Sequence, residues 1–344
     1  MITLQQVGDK CGFSKATVSL ALRGHPRIPE ATRVKIQKAA EKAGYRVNPF
    51  VSAHAAYVRT ARRPKGGSVL AYLTNWRENA LPASKHVNKL SFDGAGRRAA
   101  ELGYRLEQFQ LLDPGMTGRR LSRILATRGI LGVIVADLSR ATDHLDLEWE
   151  NLACVTIGYG MRSPQVHRVC HDQYNSMRLL LSELQALGCR RVGLAMEYRQ
   201  DERANNLILA ALLAHRRLHR DNTRIEPLLP EKWDRREFLA WYREHRPDVV
   251  VSVLDDVIGW LREDGVSVPG DVGFASVCSF DRETSGIVQH FGVIGAAAVD
   301  MLVGQLHLNS RGLPEHPQSS LIPGSWRAGA TVGARRAREA AGGG

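Results

Sequence analysis

The chain has 344 residues, and that length predicts two or three structural units rather than one small core. With 44% hydrophobic and 24% charged residues it has the balance of a globular chain, not a disordered or fibrous one. Its net charge is +12, and nearly all of the excess sits at the front: residues 1–65 hold 13 Lys and Arg against Asp9, Glu30 and Glu41.

Residues 66–333 carry 31 charges of each sign, and the tail 334–344 has Arg335, Arg336 and Arg338 against Glu339. A basic head on a neutral body is the electrostatic footprint of a polyanion-binding module attached to something else. No run approaches the ~18 uninterrupted apolar residues of a membrane span. The first 25 residues lack the basic start, apolar block and cleavage site of a secretory signal. The five cysteines (Cys11, Cys154, Cys170, Cys189, Cys278) are scattered, without a C-x-x-C pair. They are expected as reduced thiols in a cytoplasm, with neither disulfides nor a metal site.

Residues 3–11 place Leu4, Val7 and Cys11 at helical spacing, with Thr3 as N-cap. Gly12 then supplies a tight turn, because a residue without a side chain enters left-handed backbone space cheaply. Ser14 caps a second helix that closes on Gly24. Val18, Ala21 and Leu22 face inward on it, leaving Lys15, Ala16, Thr17, Ser19 and Arg23 outside. A third helix starts with Pro29 in its first turn, runs to Ala43 and ends at Gly44. Two short helices joined by a glycine turn and buttressed by a third make a helix-turn-helix, whose second helix fits a major groove about 12 Å wide.

Residues 49–59 (PFVSAHAAYVR) read as a short amphipathic helix followed by the basic stretch RTARRPKGG. Eleven residues are too few for a helix stable by itself. From Ser68 onward, apolar strands alternate with amphipathic helices: strand 68–74, helix 85–103, strand 104–112, helix 117–128, strand 130–136 and strand 153–158. A second series begins near His171, with helix 173–187, strand 191–196, helix 202–217, strand 224–229 and helix 235–245. It continues with strand 248–253, a short helix 255–263 and strand 271–277, and a helix at 292–308 closes it. Near-continuous apolar strands between such helices predict parallel sheets covered on both faces. Two series of similar size predict two lobes with a cleft between them.

Other signals are weak. Gly94-Ala95-Gly96-Arg97-Arg98-Ala99 fits G-x-G-x-x-A, but it lies inside a helical pattern and begins 20 residues past the nearest strand. A dinucleotide fingerprint begins at the strand's end. Cys170, His171 and Asp172 are ligand types in a row, yet neighbouring strand residues point to opposite faces. Phosphate-loop, G-x-S-x-G and H-E-x-x-H patterns are absent from the sequence.

The stretch 3–49 is similar to the DNA-binding headpiece of the lactose-repressor (LacI/GalR) family of bacterial transcription regulators. The landmarks are T-L-x-x-V at the start, G-x-S-x-x-T-V-S at the turn and second helix, T-R before the third helix and G-Y-x-x-N at its end. Looser matches continue through G-Y-R-L at 103–106, H-D at 171–172, VP-x-D-V-G-F at 268–274 and W-R-x-G-x-T-V at 326–332. The resemblance implies that Lys15, Ala16 and Leu20 face base edges, while Thr17, Ser19, Arg23, Arg27 and Asn48 contact or position phosphates. Leu20 stands where many members have arginine, so one bidentate guanine contact is missing and a thymine methyl is the alternative. The resemblance also implies that residues 49–59 fold as a hinge helix on DNA and wedge a side chain into the minor groove. That position is His54, with Tyr57 and Val58 as the other candidates.

In the family a small-molecule effector sits between the lobes, at the carboxyl ends of strands. Arg203 occupies the position of the effector-contacting arginine, with Asn206 where a glycine is usual. An arginine fork can hold two hydroxyls or a carboxylate. Asp255 or Asp256 is the other expected polar contact, and Asn75 and Trp76 line the floor, where Trp76 can stack on a sugar ring.

The expected class is therefore α/β: a helix-turn-helix headpiece (1–47), a hinge helix and linker (48–66), a two-lobed periplasmic-binding-protein-like effector domain with parallel sheets (67–333) and a flexible tail (334–344). The expected function is that of a repressor binding a pseudo-palindromic double-stranded DNA operator as a homodimer under control of a carbohydrate effector, with no cofactor, metal or membrane. The tail lacks a leucine heptad, which favours a dimer over a tetramer. The alternative is a sugar- or nucleotide-processing α/β enzyme with an N-terminal nucleic-acid tether.

Overall fold

The computed structural model describes residues 2–22, 28–45, 68–76, 82–138, 144–219, 225–253 and 256–334. It divides into two units, Met1–Pro64 and Lys65–Gly344.

In the first unit, α1 (Leu4–Cys11) opens with a capping box, in which the Thr3 hydroxyl accepts from the Gln6 amide while the Gln6 side chain accepts from that of Thr3. Gly12 ends it at φ 76°, and α2 (Lys15–Leu22) follows after a two-residue turn. The Ser14 hydroxyl caps α2 by accepting from the Thr17 amide at 3.1 Å. Helix α3 (Glu30–Lys42) begins one residue after Pro29, which serves as its N-cap. Val7, Val18, Ala21, Ile36 and Ala40 are buried together, one or two from each helix. This is a complete small core.

The second unit holds two sheets. The first contains β1 (Val69–Thr74), β2 (Arg105–Gln110), β3 (Gly132–Val135), β4 (Ala153–Ile157), β5 (His167–His171) and β10 (Ser319–Ile322), in the order β10-β5-β4-β3-β1-β2 and all parallel. Helix α4 (Pro82–Glu101) and helix α11 (Phe291–Leu308) cover one face, and α5 (Gly118–Thr127) covers the other. The second sheet contains β6 (Val192–Leu194), β7 (Val249–Ser252), β8 (Gly273–Ser276), β9 (Gly286–Val288) and β11 (Ser325–Arg327), in the order β11-β9-β8-β7-β6. Its faces carry α6 (Gln173–Ala186) with α8 (Leu207–Leu218), and α9 (Arg235–His245) with α10 (Asp256–Glu263).

Several sequence expectations need correction. The closing helix does not belong to the second series: α11 packs on β3, β4, β5 and α4, in the first lobe. It is long and apolar enough, by length and composition, to cross a membrane. Its Ile294, Ala298, Val299 and Leu302 are instead buried against the first sheet. The helix expected at 202–217 is two, α7 (Tyr198–Arg203) and α8, broken where Asn205 and Asn206 take φ of 59° and 57°. The strand expected at 224–229 reduces to a single bridge from Leu228 to Ala195. The second sheet is not wholly parallel, since β11 runs antiparallel to β9.

Because α11 and β10 return to the first sheet, the chain passes between the lobes three times: after β5, between β9 and α11, and between β10 and β11. The passages are tied together. Gly324 donates its N–H to the Ser176 hydroxyl at 3.1 Å, and His290 is hydrogen-bonded to the Ser325 hydroxyl at 2.9 Å. His171, at the end of β5, is buried there, and burial pushes its imidazole down to about 4, opposed by Asp172.

Candidate functional site

Two places in the chain gather residues suited to binding. The first is α2. Val18 and Ala21 anchor it, and Lys15 and Ala16 are exposed on its first turn. Thr17, Ser19 and Leu20 are half-buried along it. The Thr17 hydroxyl lies 2.9 Å from that of Ser14, so the cap that starts the helix also fixes this side chain. Arg23, Arg27, Asn48 and His54, with Tyr57 and Val58, lie outside the described residues.

The second place is the cleft between the lobes. Parallel strands end together on one side of each sheet, and the residues just beyond those ends face the gap. Asn75 and Trp76 follow β1, Asn75 being buried and Trp76 half-buried. The Trp76 indole N–H donates to the carbonyl of Asp137 at 2.6 Å, which holds the ring, and Gln110 donates to the Trp76 carbonyl at 2.7 Å, which holds its main chain. Asp137 comes two residues after the end of β3, and its Oδ2 accepts from Arg203 Nη2 of α7 at 2.7 Å. The Arg203 guanidinium also lies 5.3 Å from the centre of the Trp76 ring, within cation–π range. Three of the expected effector-site residues are thus in one neighbourhood: Arg203 and Trp76 in direct contact, and Asn75 next to Trp76. The face of Trp76 expected to stack on a sugar is met by Arg203 in this state.

Arg203 is aimed by its own helix pair. The buried carboxylate of Asp201 accepts from the amides of Ile208 and Leu209 at 3.2 and 3.3 Å, pinning α7 to the start of α8. Burial pushes the Asp201 carboxyl above its usual range, and these two N–H groups oppose the shift. The left-handed backbone at Asn206 is the conformation glycine adopts most cheaply and asparagine tolerates. Asparagine there keeps the turn that follows Arg203. A second bridge between the lobes joins Arg162 Nη2 to Glu202 Oε1 at 2.5 Å.

Asp256 is exposed at the first turn of α10, beyond the end of β7, and Asp255 lies outside the described residues. Asp137 was absent from the sequence reading. The rule that selected Asn75 and Trp76, polar or aromatic residues just past an apolar strand, applies equally to ILGVIVA followed by Asp137.

A helix-turn-helix unit with its own core, followed by two α/β lobes crossed three times and sharing a polar cleft, is the build of a DNA-binding regulator with a sensory body. The comparisons agree. Residues 3–48 match the model of bacterial regulatory proteins of the lacI family, and residues 181–332 match the periplasmic binding protein-like domain. The HTH-type transcriptional regulator MalR of Streptomyces coelicolor is 27% identical over 200 residues, covering 56% of this chain and 53% of that protein. The regulator reg1 of Streptomyces lividans is 28% identical with the same coverage. The chain spans about half the length of these curated relatives.

Among solved structures, the lac repressor dimer bound to operator and the anti-inducer ONPF has a TM-score of 0.56 at 16% identity, covering 97% of this chain and 99% of that one. A complex of the transcriptional regulator CelR with cellobiose gives 0.56 at 19%, covering 96% and 100%. A LacI family regulator from Enterococcus faecium with bound ribose gives 0.58 at 13%, covering 78% and 100%. At these identities the structures establish the fold. The chain carries a stretch matched to the bacterial lacI family at residues 3–48 and a periplasmic binding protein-like domain at residues 181–332. The comparisons group it with regulators, not with the enzymes of the alternative reading.

Proposed function

We propose that the chain is a sequence-specific repressor that acts in the cytoplasm, binds a pseudo-palindromic operator as a homodimer, and releases or engages it in response to a sugar held in the cleft. The observation that carries this reading is the headpiece: a capped second helix presenting Lys15 and Ala16 outward, within the stretch matched to the LacI family. One such helix reads only a few base pairs, so two heads on one duplex are needed for useful affinity. The sugar assignment is supported by the cleft chemistry, an arginine, a carboxylate and an indole at strand ends, and by the cellobiose and ribose named with two of the neighbours.

The test is a gel shift on DNA upstream of the chain's own gene, with and without cellobiose, ribose and glucose. Salt-sensitive binding that one of these sugars alters supports the reading; consumption of the sugar supports the enzyme alternative. In the same assay, Lys15→Ala is expected to lower discrimination between the preferred site and single-base variants by about tenfold, the scale of one base-edge contact. Unchanged preference would remove Lys15 from base reading. Arg203→Ala is expected to weaken the sugar response by about tenfold or more, since a charge-assisted hydrogen bond contributes ~1.5–3 kcal/mol. A normal dose–response curve in that variant would take Arg203 out of the site.

A further inference from the structure

The ion pair in the cleft leaves several polar atoms unsatisfied. Asp137 accepts from Arg203 through Oδ2, but its Oδ1 is shut off from solvent and has no partner among the described residues. Arg203 gives Nη2, and its Nε is likewise buried and unpartnered. The Tyr72 hydroxyl is also buried and unpartnered among the described residues, and burial, with the charge of Asp137 as a smaller cause, raises its pKa. One acceptor and one donor are therefore left over within the Asp137–Arg203 pair itself. Buried polar atoms are normally paired.

The chain makes room for this carboxylate. A Cβ at Gly158 would lie 2.7 Å from Asp137 Oδ1, and one at Gly160 would lie 3.1 Å from it. Gly158 also has φ of +71°, where a side chain is strained whatever the space. The turn after β4 thus keeps a slot that a carboxylate from the neighbouring strand fills, opposite the arginine of the other lobe.

The consequence is chemical. Asp137 offsets the charge of Arg203, so the pair presents no net attraction for an anion. Oδ1 needs a proton donor, while the Arg203 Nε has a proton to give. A ligand hydroxyl both donates and accepts. A carboxylate or phosphate brings no proton for Oδ1 and sets a second negative charge beside the first.

We propose that Asp137 is a specificity-determining residue of the cleft, restricting its ligand to an uncharged polyhydroxylated molecule and rejecting the acid counterpart. This rests on the reading of the cleft as a sugar-effector site.

The test is isothermal titration calorimetry on the full chain with three pairs: cellobiose and cellobionate, D-ribose and D-ribonate, D-glucose and D-gluconate. The wild-type protein is expected to bind the neutral member of at least one pair at least tenfold more tightly than its acid. Asp137→Asn, nearly isosteric, should narrow or reverse that ratio by tenfold or more because the charge of Arg203 is then no longer offset. Asp137→Ser provides the same comparison should the asparagine variant fail to fold. A wild-type preference for the acid in any pair overturns the assignment without any variant. Neutral sugars bound with a ratio that both variants leave unchanged also overturn it, while the sugar site itself stands. If no member of any pair binds the wild-type protein or the variants, the sugar reading falls and the role of Asp137 falls with it.

Discussion

Excision of residues 1–64 is expected to abolish operator binding, by at least ~1,000-fold, while the remainder folds and melts cooperatively within a few degrees of the intact chain. The magnitude follows from where recognition resides. Specific sites are held ~1,000-fold or more above bulk DNA, and non-specific affinity itself comes from cations that release counterions from phosphates. The excised segment holds 12 of the 13 basic residues of the head, and residues 66–333 are neutral. The body therefore retains neither the reading helix nor the charge. Its folding should be indifferent to the loss, because the headpiece core of Val7, Val18, Ala21, Ile36 and Ala40 is built within the first unit. Fluorescence anisotropy on labelled operator between 50 and 200 mM salt checks the first half and a thermal melt the second. Residual salt-sensitive site preference in the truncated protein would mean that DNA recognition lies elsewhere in the chain.

The headpiece was legible from sequence because its signals are local. Thr3 and Ser14 cap within three residues, Gly12 turns at the position itself, and Leu4, Val7 and Val18 repeat at helical spacing. The strands of the body were legible for a similar reason, since an apolar run such as VLAYLT can hardly be anything but buried. Long-range placement was not. The apolar face of α11 says that the helix is covered, but nothing in 291–308 says by which sheet. The chain's three passages between lobes therefore stayed hidden. The break between α7 and α8 was missed because periodicity continues through Asn205 and Asn206, while the backbone does not. In the cleft, Arg203, Trp76 and Asn75 could be named singly. That Arg203 already has a carboxylate partner required the fold, because Asp137 stands 66 positions away on the other lobe.

The G-x-G-x-x-A stretch that fits a dinucleotide fingerprint acquires a different purpose from the packing of α4 against α11, and a substitution there should have a large effect on stability. The two helices cross at small residues. A Cβ on Gly295 would fall well inside contact distance of the Ser91 carbonyl oxygen, and one on Gly94 would do the same with the backbone of Gly292. These neighbours are main chain, so no side-chain rotation relieves the overlap. The helices must move apart, and Ile294, Ala298, Val299 and Leu302 then lose their fit against the first sheet. Gly295→Ala is expected to cost about 3 kcal/mol, the upper end of overpacking, or roughly 6–12 °C in melting temperature for a unit of this size. Two neighbouring glycines supply the control. A Cβ at Gly96 or Gly304 meets nothing within 4 Å, so alanine at either should stabilise by up to about 1 kcal/mol through helix propensity and reduced freedom of the unfolded chain. Opposite signs within one helix, α11, would separate steric fit from propensity. A melt of Gly295→Ala that matches wild type, or of Gly304→Ala that falls with it, would show that the close crossing of α4 and α11 does not hold the first lobe together.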